Sequence, residues 1–225
     1  MPDLIQAARS GYAAAAMSTR THAVLAALVL AVAILAFPAS GSARPMVASP
    51  GVGIDYAKLP GLQTGPAPWG PGSNSLLRAR LDRLDLPVLT QEQLDYHIHV
   101  HLDVYVRGVH IPVPALVGID VVDQFLTVLH THDPSGVVHI ESASSKPYAL
   151  GKFFGVWGVR LNASCLGRYC SGPKAQLRAY LGGKPFAGNP ASIVLREHEE
   201  IVLAYGTRAQ LPKPVPARFA FEPGL

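Results

Sequence analysis

The sequence predicts an α+β domain of mainly antiparallel β-hairpins with one short packed helix, and three observations carry that expectation. Polar and apolar residues alternate from 96 to 106, which is the period of a half-buried strand. Arg107-Gly108 and Asp133-Pro134-Ser135-Gly136 carry turn chemistry between apolar runs, as hairpins require. Leu150, Phe153, Phe154, Trp157 and Leu161 recur at helical spacing. Hairpin, hairpin, helix and hairpin in succession belong to the α+β class.

The first strand spans about 96–106 and returns over 109–115. A two-residue loop pairs 106 with 109, 105 with 110, 103 with 112 and 101 with 114. His110 then lies opposite Tyr105, and both faces keep a consistent polarity. Pro112 and Pro114 cannot donate to a ladder, so this second strand reads as an edge. The next hairpin runs from 125–132 to 137–141 across a four-residue turn that pairs 132 with 137 and 130 with 139. The helix is expected over 149–159, although Gly151, Gly155 and Gly158 weaken it. Two further strands, 176–181 and 193–205, are joined through Gly182-Gly183-Lys184-Pro185. The whole arrangement resembles a β-grasp.

Residues 91–207 form this histidine-rich domain, and the rest of the chain divides around it. An apolar run from Ala23 to Phe37 follows Arg20 and precedes Pro38-Ala39-Ser40-Gly41-Ser42-Ala43. A basic start, a short apolar centre and a small-residue end make a secretory signal peptide. A spanning helix needs about 20 apolar residues. Residues 1–43 are therefore expected to be an N-terminal extension and signal peptide cleaved after Ala39 or Ala43, with an uncleaved membrane anchor as the alternative. Met17 is the more natural start, because it leaves a compact basic region. Residues 44–90 are rich in proline and glycine and read as an extended linker. Within it Leu77, Leu81 and Leu84 mark a short helix with Arg78 and Asp82 at i,i+4 spacing and Asn74 or Ser75 as cap. Residues 208–225 read as an irregular tail.

Charge excludes little by itself. The net charge of +4 is mild, and no Lys/Arg run or RNA-binding signature accompanies it, so no nucleic-acid partner is expected. Cys165 and Cys170 are expected to form a disulfide in an exported chain; a thiolate metal pair is the weaker alternative, because zinc pairs have tighter spacing.

Histidine is the strongest signal. Seven of the nine histidines lie between 97 and 139. Alternation puts His97, His99, His101 and Asp103 on one strand face. The hairpin register puts His130 beside His139, with His132 two residues away. Imidazole is the commonest protein ligand for zinc, copper(II), nickel(II) and iron. Two histidines at i,i+2 can converge on one ion, and a third from a neighbouring strand completes a His₃ set. Candidate metal ligands are thus His97, His99, His101, His130, His132 and His139. Asp103, Asp133 and Glu141 are candidate orienting groups or an oxygen ligand. Asp133 has an equal competing role as first residue of its turn. A solvated polar face and a pH-sensing cluster are the competing readings; His110 and His198 are expected to be peripheral. The mature chain keeps only Met46 among its methionines, which argues against soft Cu(I). A divalent transition metal, zinc or copper(II), is the expected cofactor.

The strings HIHVHLDVYVRG, LHTHDPSGVVHIES, LGKFFGVWG and LREHEEIVLAYG resemble a group of exported bacterial proteins with the pattern HIHxHLDxxVNG, LHTHDxSGxIHxES and TLGxFF. The resemblance covers about 96–205, and all six face histidines match. Arg107-Gly108 replaces the usual Asn-Gly and Ala149 the usual Thr, which affects a turn and a cap. The resemblance implies an exported domain and carries no activity with it. Three function classes follow: an extracytoplasmic metal carrier, buffer or sensor; a metalloenzyme with a His₃ site that activates water or oxygen; or a structural envelope module. No Ser-His-Asp elbow, His-Glu-x-x-His signature or phosphate-binding glycine loop competes.

Overall fold

The computed structural model describes residues 54–225. The expected signal peptide or anchor and the first part of the expected linker lie outside them. The elements in order are α1 (Leu77–Leu84), β1 (Tyr96–Val106), β2 (Val109–Ile111), β3 (Ile119–Asp120), β4 (Phe125–Leu126), β5 (Leu129–His130), β6 (Val137–Ser142), α2 (Leu150–Trp157), β7 (Cys165–Leu166), β8 (Tyr169–Cys170), β9 (Gln176–Leu181), β10 (Lys184–Phe186) and β11 (Glu200–Gly206). The α+β expectation is met at that level.

The main sheet has the order β10-β9-β11-β1-β6-β5, with β2 also paired to β1. It is mixed rather than built of antiparallel hairpins alone. β1 runs parallel to β11, with His101 opposite Glu200 and Val106 opposite Tyr205, and antiparallel to β6 and β2. The predicted strand 193–205 forms only over its second half, as β11. Residues 184–186 instead fold back on β9, because Gly182 and Gly183 both take positive φ, as a two-residue hairpin turn favours. Both histidine hairpins keep their predicted register where they pair: Val106 opposes Val109, Tyr105 opposes His110, and His130 opposes His139. The expected pairs 103 with 112, 101 with 114 and the turn-flanking 132 with 137 are absent from these ladders. Pro112 and Pro114 cannot extend the first, and the second is only two residues long on the β5 side.

Ile98, Val100, Leu102, Val104, Val138, Ile140, Ile201 and Leu203 form one sheet face, buried against α2 and α1. α2 supplies Leu150, Phe153, Phe154 and Trp157, all fully buried. It ends at Gly158, which is left-handed with φ 74°, a usual helix stop.

The segment expected as a linker is also part of this core. Leu59, Trp69, Leu77, Leu81, Leu84 and Leu86 are buried, and the Trp69 and Trp157 rings meet edge to face at 5.9 Å. Proline and glycine there break regular structure without keeping the apolar side chains out of the core. The expected helix cap is corrected too. Asn74–Leu76 forms a 3₁₀ turn, and Leu76 occupies the cap position without a side-chain bond. Arg78 lies over the Phe125 ring at 3.9 Å. Arg80 is buried and donates to the Val156 and Ser73 carbonyls.

The opposite sheet face carries the histidines at one end and a small apolar cluster at the other. There Tyr180, Val202 and Ala204 meet Tyr105, Leu211 and Val215. The tail, irregular beyond a 3₁₀ turn at Arg208–Gln210, therefore packs on this end of the face through Leu211 and Val215. Cys165 and Cys170 oppose each other across β7–β8 at disulfide distance, with Cα atoms 4.1 Å apart. No helix among the described residues is long and apolar enough to cross a membrane.

Candidate metal centre

Strand alternation and two registers build the site. β1 contributes His97 and His99, β6 contributes His139 opposite His99 and Glu141 opposite His97, and β5 contributes His130 opposite His139. His132 follows β5 and turns its ring back onto His130. The result is a buried floor of His99, His130, His139 and Glu141, with His97 and His132 exposed at the rim.

The ring nitrogens point at one another. His99 Nε2 lies 3.1 Å from His139 Nδ1, and His130 Nε2 lies 3.2 Å from His132 Nε2. Glu141 Oε1 is 3.2 Å from His97 Nε2, 3.2 Å from His139 Nδ1 and 3.7 Å from His130 Nε2. Two nitrogens on one tetrahedral zinc, each at about 2.0–2.1 Å, stand about 3.3–3.4 Å apart. The observed spacings are close to that edge. Glu141 Oε2 is buried with no hydrogen-bond partner, an arrangement that costs free energy unless a partner is supplied. The donor set therefore fits a divalent ion.

The protonation states favour ligation. The Thr127 carbonyl lies 2.9 Å from His130 Nδ1. A carbonyl only accepts, so this bond puts the proton of neutral His130 on Nδ1 and leaves the Nε2 lone pair facing the cluster. Burial pushes His130 down to about 4, against the opposing pull of Glu141. Burial, with His139 and His97 nearby, pushes His99 down to about 4 as well. Burial raises the Glu141 carboxyl, but the His139 hydrogen bond and the charges of His130 and His97 outweigh it and hold the group low. Neutral imidazoles around an ionised carboxylate are the ligand forms of both groups.

Three of the sequence candidates stand apart. His101 is the third alternating residue, yet both ring nitrogens are engaged, Nδ1 with Glu200 Oε2 at 2.8 Å and Nε2 with the Ser135 carbonyl at 2.9 Å. Phe219 stacks on the ring at 3.9 Å. Burial lowers this histidine, but the Glu200 hydrogen bond and charge and the Ser135 carbonyl prevail and raise it. His101 groups with Asp103 and Glu200, and its ring serves as a buried linchpin between strand, turn and tail. Asp103 hydrogen-bonds His110 at 2.8 Å. Asp133 accepts from the Ser135 N–H at 2.8 Å, so its turn role prevails and it makes no contact with the cluster. Glu141 alone of the three carboxylates contacts the histidine cluster.

Sequence reading missed Glu200, Thr127 and Phe219. Thr127 acts through its backbone, which no side-chain pattern reveals. Glu200 follows Glu197-His198-Glu199, a run that reads as exposed until parallel pairing with β1 buries it. A cavity of about 480 Å³ lies away from the cluster, lined by Arg107, Arg168, Tyr169 and Tyr205 among others.

Fold and site together define a histidine-rich α+β domain whose mixed sheet presents a candidate metal centre. Comparison of the chain with protein-family models, with curated proteins and with solved structures finds no match.

Proposed function

We propose that this protein is an extracytoplasmic metal-binding protein, a carrier, buffer or sensor, that holds a divalent transition ion of the zinc or copper(II) type on its histidine face. The carrying observation is a cluster of five imidazoles, three of which lie within 3.7 Å of the buried, half-partnered carboxylate of Glu141. The ring nitrogens touch one another directly, which leaves space for an ion rather than for an organic molecule among them. Export is supported by the apolar run after Arg20 and by the cysteine pair at disulfide distance.

Calorimetric titration of the apo protein with zinc and copper(II) tests the reading. We expect binding far tighter than millimolar, strong losses in His99→Ala and His139→Ala, and little change in His110→Ala or His198→Ala. Millimolar binding, or equal losses from His99→Ala and His198→Ala, overturns it. Metal analysis of untagged protein from its native compartment identifies the ion. Full-length protein in the cytosol, with two alkylatable thiols after denaturation, overturns the assignment of compartment.

A second reading, a metalloenzyme, is favoured by one observation. His97, His99 and His139 form a three-nitrogen set with His97 at the surface, which leaves a fourth position open to water. Turnover of an activated ester by the zinc-loaded protein, abolished by chelation and by His99→Ala, distinguishes it from a carrier.

A further inference from the structure

The cluster holds more donors than one ion can use. In each of two groups, His97/His99/His139 and His130/His132/His139/Glu141, the ligand atoms all lie within 4.8 Å of one another. They share His139, whose ring centroid is 4.5 Å from both the His99 and the His132 rings and perpendicular to each. A four-coordinate ion would leave at least two of the six side chains without a role.

Resting on the metal-binding reading above, we propose that the face takes two divalent ions side by side. One is bound by His97, His99 and His139, the other by His130, His132 and Glu141, with the Glu141 carboxylate between them. Three features support the division. With Glu141 shared, one ion receives three imidazoles and a carboxylate oxygen and the other two imidazoles and a carboxylate oxygen, three or four protein ligands each as zinc sites take. Each set contains one i,i+2 pair and one rim histidine, His97 or His132, so both positions face solvent. Glu141 Oε1 already contacts His97 and His139 on one side and approaches His130 on the other, while Oε2 has no protein partner. A carboxylate with two oxygens can serve two cations, and it offsets part of their mutual repulsion.

The test is the stoichiometry of the full folded chain. Native mass spectrometry of apo protein titrated with zinc should show two ions bound, and the copper(II)-loaded protein should show spin coupling between neighbouring centres by electron paramagnetic resonance. The paired variants His97→Ala/His99→Ala and His130→Ala/His132→Ala should each retain one ion, and Glu141→Gln should weaken the second binding step more than the first. One ion in the wild type overturns this proposal and leaves the metal-binding reading standing. No ion overturns both. Loss of both ions from either paired variant that keeps its far-ultraviolet circular dichroism overturns the division of ligands. Wild-type stoichiometry and spin coupling decide the question without any variant.

Discussion

Imidazoles packed nitrogen to nitrogen repel one another once they take up protons, and two of those here are buried enough to make that costly. His99 and His130 titrate near 4 in the folded chain, against about 6.5 when unfolded. The unfolded chain therefore binds the extra protons between those limits, and apo-protein stability falls as pH drops from about 6.5 towards 4, by up to about 1.4 kcal/mol per unit for each group. Glu141 adds to the loss below about 4.5, because its folded carboxyl is held low. His101 has the opposite sign. Its raised value contributes stability that is complete below 6.5 and disappears as pH rises through its folded titration. Denaturant midpoints of apo protein across pH 4–8 measure these slopes; a flat acid limb would contradict them. His101→Ala provides a sharper contrast. It strands the Glu200 carboxylate, which is buried with only that partner, and should cost about 3–5 kcal/mol while leaving zinc stoichiometry unchanged. Urea unfolding beside native mass spectrometry separates the two effects. At this scale the histidine types were legible in the sequence, but their division was not. Four alternating polar residues look alike until Ser135, Glu200 and Phe219 claim one of them.

Turns decide which histidines meet. The Asp133-Pro134-Ser135-Gly136 turn ends on Gly136 with φ 92°, and a Cβ there would sit 2.8 Å from the Leu102 carbonyl and 2.9 Å from His101 Nε2. Gly136→Ala should therefore destabilise the chain by about 1–3 kcal/mol and weaken zinc affinity, because the same turn sets His130 opposite His139. Thermal unfolding and zinc titration of the variant check this, and a change below 0.5 kcal/mol would refute the strain. Both histidine hairpins could be read from the sequence because their turn residues and alternating faces agree on one register. The strand predicted over 125–132 could not. It divides into β4 and β5, which pair with different partners, β3 and β6, a separation that the local apolar pattern does not mark. The helix 149–159 was legible to within its end turns despite its glycines. Gly151 and Gly155 are needed for close packing, with Ala191 and Leu84 under 3 Å from where a Cβ would stand.

Across the molecule the central fact is that β1 pairs in parallel with a strand about a hundred residues later. No local signal announces such a pairing, which is why the sequence pointed to antiparallel hairpins and gave Glu200 no role. The same distance effect hid the role of the tail. Leu211 and Val215 seal the second face against Tyr180, Val202 and Ala204, and Phe219 and Phe221 cap His101 and His198. Deleting residues 212–225 should lower the melting temperature by several degrees, at roughly 2–4 °C per kcal/mol for a chain of this size. It should also leave zinc stoichiometry intact, because all six proposed ligands lie between 97 and 141. Differential scanning calorimetry with metal analysis reads both, and loss of bound zinc from a folded truncation would assign the tail to the site.

The outer strand β5 is only two residues long and is held to β6 by a short ladder. Strands of that length open readily, so their amide protons should trade with deuterium well before those of β1. His130 sits on this strand, and His139 and Glu141 sit on its neighbour. An ion that joins them ties the sheet's margin to its centre, and each opening must first release it. At free zinc 100 times the dissociation constant, exchange at Leu129, His130 and their β6 partners should slow about 100-fold, while amides of β9 and β10 at the far margin keep their rates. Equal slowing at both margins would mean that the ion stabilises the whole fold rather than this edge.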